Sequence, residues 1–119
     1  MRIWRDAAER WQEVKPGVSR RILSQEGFSA LALFVFKPNS TFEPHEAREK
    51  HFGLFVKGRG AFDTPGGQVN VQEGDAFFIE PGEVHGFTNT SNVDAIVLEV
   101  FVPPTQSHLT HAQQPDLHF

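Results

Sequence analysis

Short apolar runs recur along nearly the whole chain, each cut off by Gly or Pro before it reaches helical length. That punctuation constrains the fold more than any other feature. Ser29 to Phe36 (SALALFVF) is nearly all apolar, as in a strand covered on both faces. Arg20 to Leu23 is a short strand before it, and Lys37-Pro38-Asn39-Ser40 is a turn after it. Ala61–Thr64 and Gln68–Val71 flank Pro65-Gly66-Gly67, a hairpin signal. Glu73-Gly74-Asp75 turns into Ala76–Ile79, and Pro81-Gly82 turns into Val84–Thr88. After the loop Asn89–Asn92, Ala95–Val102 is a last apolar strand, ended by Pro103-Pro104.

Two stretches are less direct. In Thr41–Val56 the segment EAREK has helix propensity, but Pro44 and Gly53 bracket it too tightly for a stable helix. Two strands with a short polar connection are expected there. Residues 4–14 (WRDAAERWQEV) read as a short helix or turn with Trp4 and Trp11 on one face, ended by Pro16-Gly17. Evenly spaced short strands indicate an all-β sandwich or small barrel. The 119 residues suit one domain. We expect residues 1–17 to pack on a barrel formed by 18–104, with 105–119 as a polar C-terminal tail.

Composition removes several classes of function. A net charge of −4 argues against a nucleic-acid partner, which needs clustered basic residues. The absence of Cys removes disulfides, thiolate metal sites and Cys nucleophiles. The start, Met-Arg-Ile-Trp-Arg-Asp, has no apolar leader core, and Ala30–Phe36 is far too short to span a bilayer. We therefore expect a soluble, cytoplasmic protein with no membrane partner. Only about two thirds of the unfolded surface is removed from water at this size, so a homodimer is expected. Twelve Phe and no Tyr give an aromatic interior without phenols.

Three of the six histidines are internal: His45, His51 and His85. In strands, residues two apart share a face. His51, Gly53 and Phe55 therefore lie on one face, and Phe52, Leu54 and Val56 on the other. His85 shares a face with Phe87, and His45 has the parity of His51. A small barrel gathers such faces about its axis, and three imidazoles suffice for a metal with open positions. The alternative is three separate strand residues.

Pro44–Gly60 (PHEAREKHFGLFVKGRG) resembles the first motif of the cupins, and Gly74–Asn89 (GDAFFIEPGEVHGFTN) resembles the second. The first motif normally runs His-x-His, three residues, then Glu; here those positions hold His45, Ala47 and His51. In the second, His85 and Asn89 stand in place, with Glu80 for the usual Pro. The resemblance covers roughly residues 18–104. It implies a single-domain cupin, an antiparallel β-barrel of jelly-roll type.

A branch of small cupins carries His at the Glu position and binds metal through four histidines. Against it this chain has lost one ligand, at Ala47, and kept three. The resemblance thus implies a divalent metal (Mn, Fe, Ni, Cu or Zn) on His45, His51 and His85. Glu49, Glu46 or water could take the fourth position, and Glu49 has the right parity.

The run Gly17-Val18-Ser19-Arg20 and the strand end Glu99-Val100-Phe101-Val102-Pro103-Pro104-Thr105 are similar to those of pectin-degradation cupins, which open unsaturated uronates. There an acid, a Phe and an Arg line the substrate site; here they are Glu99, Phe101 and Thr105. If Glu99 faces the barrel, it is a desolvated carboxyl suited to proton transfer. If it faces outward, it is an ordinary Glu, and parity along AIVLEVFV leaves both open. Phe55 and Phe87, on the histidine face, are further pocket candidates. His108, His111 and His118 belong to the tail.

The expected function is a metal-dependent enzyme on a small molecule. It would be an isomerase or lyase on a sugar acid or keto compound, or a dioxygenase, with Glu99 as the catalytic group. The alternatives are a non-catalytic ligand-binding or sensor domain with a degenerate metal site, and a purely structural domain.

Overall fold

The computed structural model describes residues 1–104 and 112–119. Its strands are Arg2–Ile3 (β1), Gln12–Lys15 (β2), Val18–Gln25 (β3), Ala30–Phe36 (β4), Thr41–Glu46 (β5) and Lys50–Lys57 (β6). They continue with Arg59–Thr64 (β7), Gly67–Gln72 (β8), Ala76–Ile79 (β9), Val84–Thr88 (β10), Ala95–Val102 (β11) and Leu117–His118 (β12). All their pairings are antiparallel.

The topology is that of a ribbon wound on itself. The hairpin β7–β8, closed by Pro65-Gly66, is its tip. Moving away from that tip, β6 pairs with β9, β5 with β10, and β4 with β11. These pairs fall alternately into two sheets: β2-β3-β4-β11-β6-β9 and β5-β10-β7-β8. This is a jelly roll, a flattened barrel whose two sheets enclose the interior, as the cupin resemblance implied. Among the described residues no ladder of hydrogen bonds closes it all the way round.

Alternation decides which residues meet inside. Along β4 the even-numbered residues Ala30, Ala32, Phe34 and Phe36 are buried, and Leu31, Leu33 and Val35 are half-buried. The expectation that this strand is covered on both faces is therefore met only on the inner face of the single chain. Phe34, Phe36, Phe55, Phe87 and Phe101 form the aromatic part of the core, with Phe36 and Phe87 edge to face at 4.8 Å. Phenyl rings need no hydrogen-bond partner, so this interior packs without burying a hydroxyl.

The one fully buried amide among the described residues, Asn89, is satisfied on all sides. Its Nδ2 donates to the carbonyls of Phe36 (2.9 Å) and Val93 (2.8 Å), and its Oδ1 accepts from Ser91 N and Oγ. The loop after β10 is thereby tied to the end of β4.

Residues 4–14 do not form a helix. Only Ala8–Arg10 makes a 3-10 turn, whose N-cap Ala7 offers no side-chain bond, and Gln12–Lys15 is drawn into the sheet beside β3. Tertiary strand pairing overrides local propensity there. Trp11 lies beneath the Arg21 guanidinium, which pairs with Asp6. Residues 112–119 return to the start of the chain. β12 pairs with β1, Trp4 Nε1 donates to the Gln113 carbonyl at 2.7 Å, and Arg10 Nη2 reaches Asp116 Oδ1 at 2.7 Å. No helix among the described residues is long and apolar enough to cross a membrane.

Candidate functional site

Both sheets contribute to one cavity of about 360 Å³. On the four-stranded side, His45 of β5 and His85 of β10 are direct cross-strand partners, and their rings lie 4.5 Å apart. Each ring turns Nδ1 toward the carbonyl two residues back: Glu43 O at 3.2 Å for His45 and Glu83 O at 3.4 Å for His85. Nδ1–H donating to these carbonyls leaves the Nε2 lone pairs facing away from the backbone.

On the six-stranded side, His51 of β6 stands opposite Phe101 of β11, edge to face at 4.4 Å. The His51 ring reaches across the interior to His85, at 5.5 Å between centroids. Its Nε2 lies 2.6 Å from Glu49 Oε1, a buried pair in which the ring N–H donates to the carboxylate. Glu99 faces inward, because it shares parity with buried Ala95, Val97 and Phe101. Its exposed surface opens into the cavity. Arg20 lies on the same wall, flanked along β3 by buried Val18 and Ile22.

Burial sets the electrostatics. It pushes the Glu99 carboxyl up to about 8, with the Glu49 charge adding to the rise and Arg20 opposing it. Burial also lowers His51 and His85 to about 4, helped in both by the charge of His45. Glu49 is raised by desolvation, against the pull of His45 and Arg48. At neutral pH the site therefore presents two neutral imidazoles and a protonated carboxyl.

Neutral imidazoles beside a carboxylate are the donor set a divalent transition metal takes, and the backbone-anchored Nδ1 atoms of His45 and His85 fit that use. Among the described residues, however, no three His, Asp or Glu groups stand arranged to hold an ion. His51 directs its Nε2 at Glu49. Ala47, at the position of the motif's second His, is buried, and its backbone bonds to Glu83 O and Gly82 N.

The family model of the cupin domain matches residues 32–101. The chain is a cupin.

Solved structures agree on the fold. KdgF from Halomonas sp. superposes with a TM-score of 0.75 at 24% identity, covering 82% of this chain and 90% of that one. The polyketide cyclase RemF from Streptomyces resistomycificus gives 0.69 at 26% identity, covering 75% of this chain and 68% of the other. A predicted oxalate decarboxylase from Thermotoga maritima gives 0.66 at 26%, covering 73% and 81%. No curated protein matches the sequence.

The cupin fold brings His45, His51, His85, Glu49, Glu99, Phe87 and Phe101 to one cavity. Phe55 is not on its wall. It is buried behind the lining, edge to face with Phe62 and tilted against Phe77 and Phe87. Glu46 lines the cavity but is exposed. His118 is exposed, and Thr105, His108 and His111 lie outside the described residues. Sequence reasoning missed Arg20 as a site residue. The available signal was a cation with the parity of two inward apolar residues.

Proposed function

We propose that this cupin is a metal-dependent enzyme acting on a small molecule in its interior cavity. The reaction is an isomerisation or lyase step on a sugar acid or keto compound, or an oxygenation. His45, His51 and His85 would hold a divalent ion (Mn, Fe, Ni, Cu or Zn), with Glu49 completing the set. The ion would supply Lewis acidity to a bound oxygen. The observation that carries this reading is the meeting, in one cavity, of three imidazoles with a carboxyl whose pKa is pushed to about 8.

A carboxyl titrating so near neutrality can both give and take a proton at its Oε atoms. Phe87 and Phe101 exclude water from one side of that exchange. The carbonyls of Glu43 and Glu83 fix the tautomers of His45 and His85. Relatives in fold include a polyketide cyclase and a predicted oxalate decarboxylase, so the scaffold accommodates small-molecule chemistry.

Elemental mass spectrometry of protein grown with all five metals tests this. Near one ion per chain is expected, falling to near zero in His51→Ala. No ion in either protein favours the second reading, a non-catalytic small-ligand barrel. That reading draws on Ala47 and on the engagement of His51 with Glu49.

We further take the protein as a cytoplasmic homodimer without nucleic-acid or membrane partners, in keeping with its net charge of −4. The outer face of the six-stranded sheet supports the dimer. Phe52, Leu54 and Val56 of β6 and Phe78 of β9 are exposed there, continuous with half-buried Leu98 and Val100 of β11. An apolar sheet face of this kind is an association surface. Sedimentation velocity at about 50 µM is expected to give a dimer, and Leu54→Glu a folded monomer, since a buried unpaired carboxylate would oppose association. A monomeric wild type would overturn the assignment.

A further inference from the structure

Arg20 is a buried cation on the cavity wall, beside the proton-transfer and metal-holding groups. The residue is only 7% exposed, and burial lowers its pKa against the opposing pull of Glu99. A strand position between Val18 and Ile22 would take an apolar residue without that desolvation, as its neighbours do. The retained guanidinium lines the same cavity as Glu99 and the three imidazoles.

Register places it relative to them. Arg20 pairs with Phe34, which pairs with Val97, so Arg20 stands at the Val97 level of the sheet. His51 pairs with Phe101 and stands at that level. Glu99 lies between the two levels on β11, facing the cavity. A molecule spanning the cavity from Arg20 to the imidazoles therefore passes over Glu99.

We propose that Arg20 anchors a carboxylate of the substrate, so that the cavity takes a small carboxylic acid with its acid group on Arg20 and its reacting carbons beside Glu99 and the histidines. The proposal rests on the reading of this cavity as the reacting site. A guanidinium presents five N–H donors in a planar fork, enough to serve a protein neighbour and a carboxylate together. Glu99 is a charge neighbour of Arg20, each favouring the other's charged form, and the fork has donors enough for it and a substrate carboxylate together. Phe34 and Phe36 line the cavity beside Arg20 and exclude water, which strengthens a charge-assisted bond. The volume of about 360 Å³ is at the low end for ligand sites and suits a compact acid.

Three matched pairs of probes test this on the full chain at pH 7: pyruvate and pyruvamide, glycerate and glycerol, galacturonate and galactose. Calorimetry and the Arg20 Nε–H signal in nuclear magnetic resonance are the readouts. At least one acid is expected to bind about tenfold or more tightly than its neutral partner and to shift the Arg20 signal. Arg20→Lys should weaken that acid roughly fivefold while leaving the neutral probe unchanged, because charge survives and the fork does not. Arg20→Gln should erase the preference.

No preference in any pair, or a preference retained in Arg20→Gln, overturns the anchor. If Arg20→Gln does not fold, the Lys variant and the wild-type Arg20 signal decide. Metal content measured on the same samples separates the two readings. An Arg20-dependent preference without metal keeps the anchor and removes the metal enzyme, and metal without any preference does the reverse.

Discussion

Metal-free protein is expected to be most stable near about pH 6 and to lose stability on both sides. On the alkaline side the cause is Glu99. Its carboxyl titrates at about 8 in the fold against 4.5 as a free side chain. Between those values the folded state holds one more proton than the unfolded state, so stability is fully present below 4.5 and drains away as pH rises through 8. The slope is at most about 1.4 kcal/mol per pH unit. Glu49, also raised, adds in the same direction.

On the acid side the cause is the pair His51 and His85, which titrate at about 4 in the fold against 6.5 as free side chains. Below 6.5 the unfolded state takes up protons that the folded state refuses. Their stabilisation is thus present above 6.5 and lost as pH falls through 4, with up to twice the slope of Glu99. Urea unfolding at half-unit pH steps, with a chelator present, measures the profile. Glu99→Gln should flatten the alkaline limb and leave the acid limb in place. An alkaline limb unchanged in that variant would refute the inward, desolvated placement of Glu99.

Gly58→Ala is expected to be strongly destabilising without touching a site residue. Gly58 turns the chain from β6 into β7 with φ at +81°, a region that L side chains enter only with strain. A Cβ there would stand 2.6 Å from the Asp94 carbonyl oxygen and 2.8 Å from the Ala95 Cα. Both are backbone atoms at the start of β11 and cannot swing aside. Strain and overlap together should cost about 3 kcal/mol or more, a large part of the stability of a domain this size. Calorimetry should show Tm lowered by roughly 10 °C or more. Gly27→Ala, where nothing lies within 4 Å and φ is ordinary, is the control and should change Tm little.

Much of this was legible before the structure, and the reasons are specific. Turn chemistry is local, so Pro65-Gly66-Gly67 marked the β7–β8 hairpin and Pro44 with Gly53 barred a helix between β5 and β6. Parity is local too, and it put His51 and Phe55 on one face of β6 with Phe52, Leu54 and Val56 on the other. What could not be read depended on distant partners. Glu99 sits in a strand apolar on both faces, so only the sheet facing β11 decides its orientation. Phe55 has the parity of His51, but its depth is set by Phe62 and Phe87 from the other sheet. Gln12–Lys15 is a strand because β3 offers an edge, a fact absent from residues 4–14 themselves.

The two-faced character of β11 couples two properties that would otherwise vary independently. Glu99 and Phe101 point into the cavity, and Leu98 and Val100 point to the apolar outer face. Substitutions can therefore retune the chemistry of the cavity one residue at a time without disturbing the surface behind it. A single-residue deletion within the strand cannot, because a slip of one exchanges the faces. It would set Leu98 or Val100 against the imidazoles and put the Glu99 carboxyl on the outside. Over this stretch the molecule is permissive toward new side chains and strict about length. Sequence drift among proteins of this architecture should accumulate in β11 as exchanges of residue type, with insertions and deletions confined to exposed turns such as Pro65-Gly66.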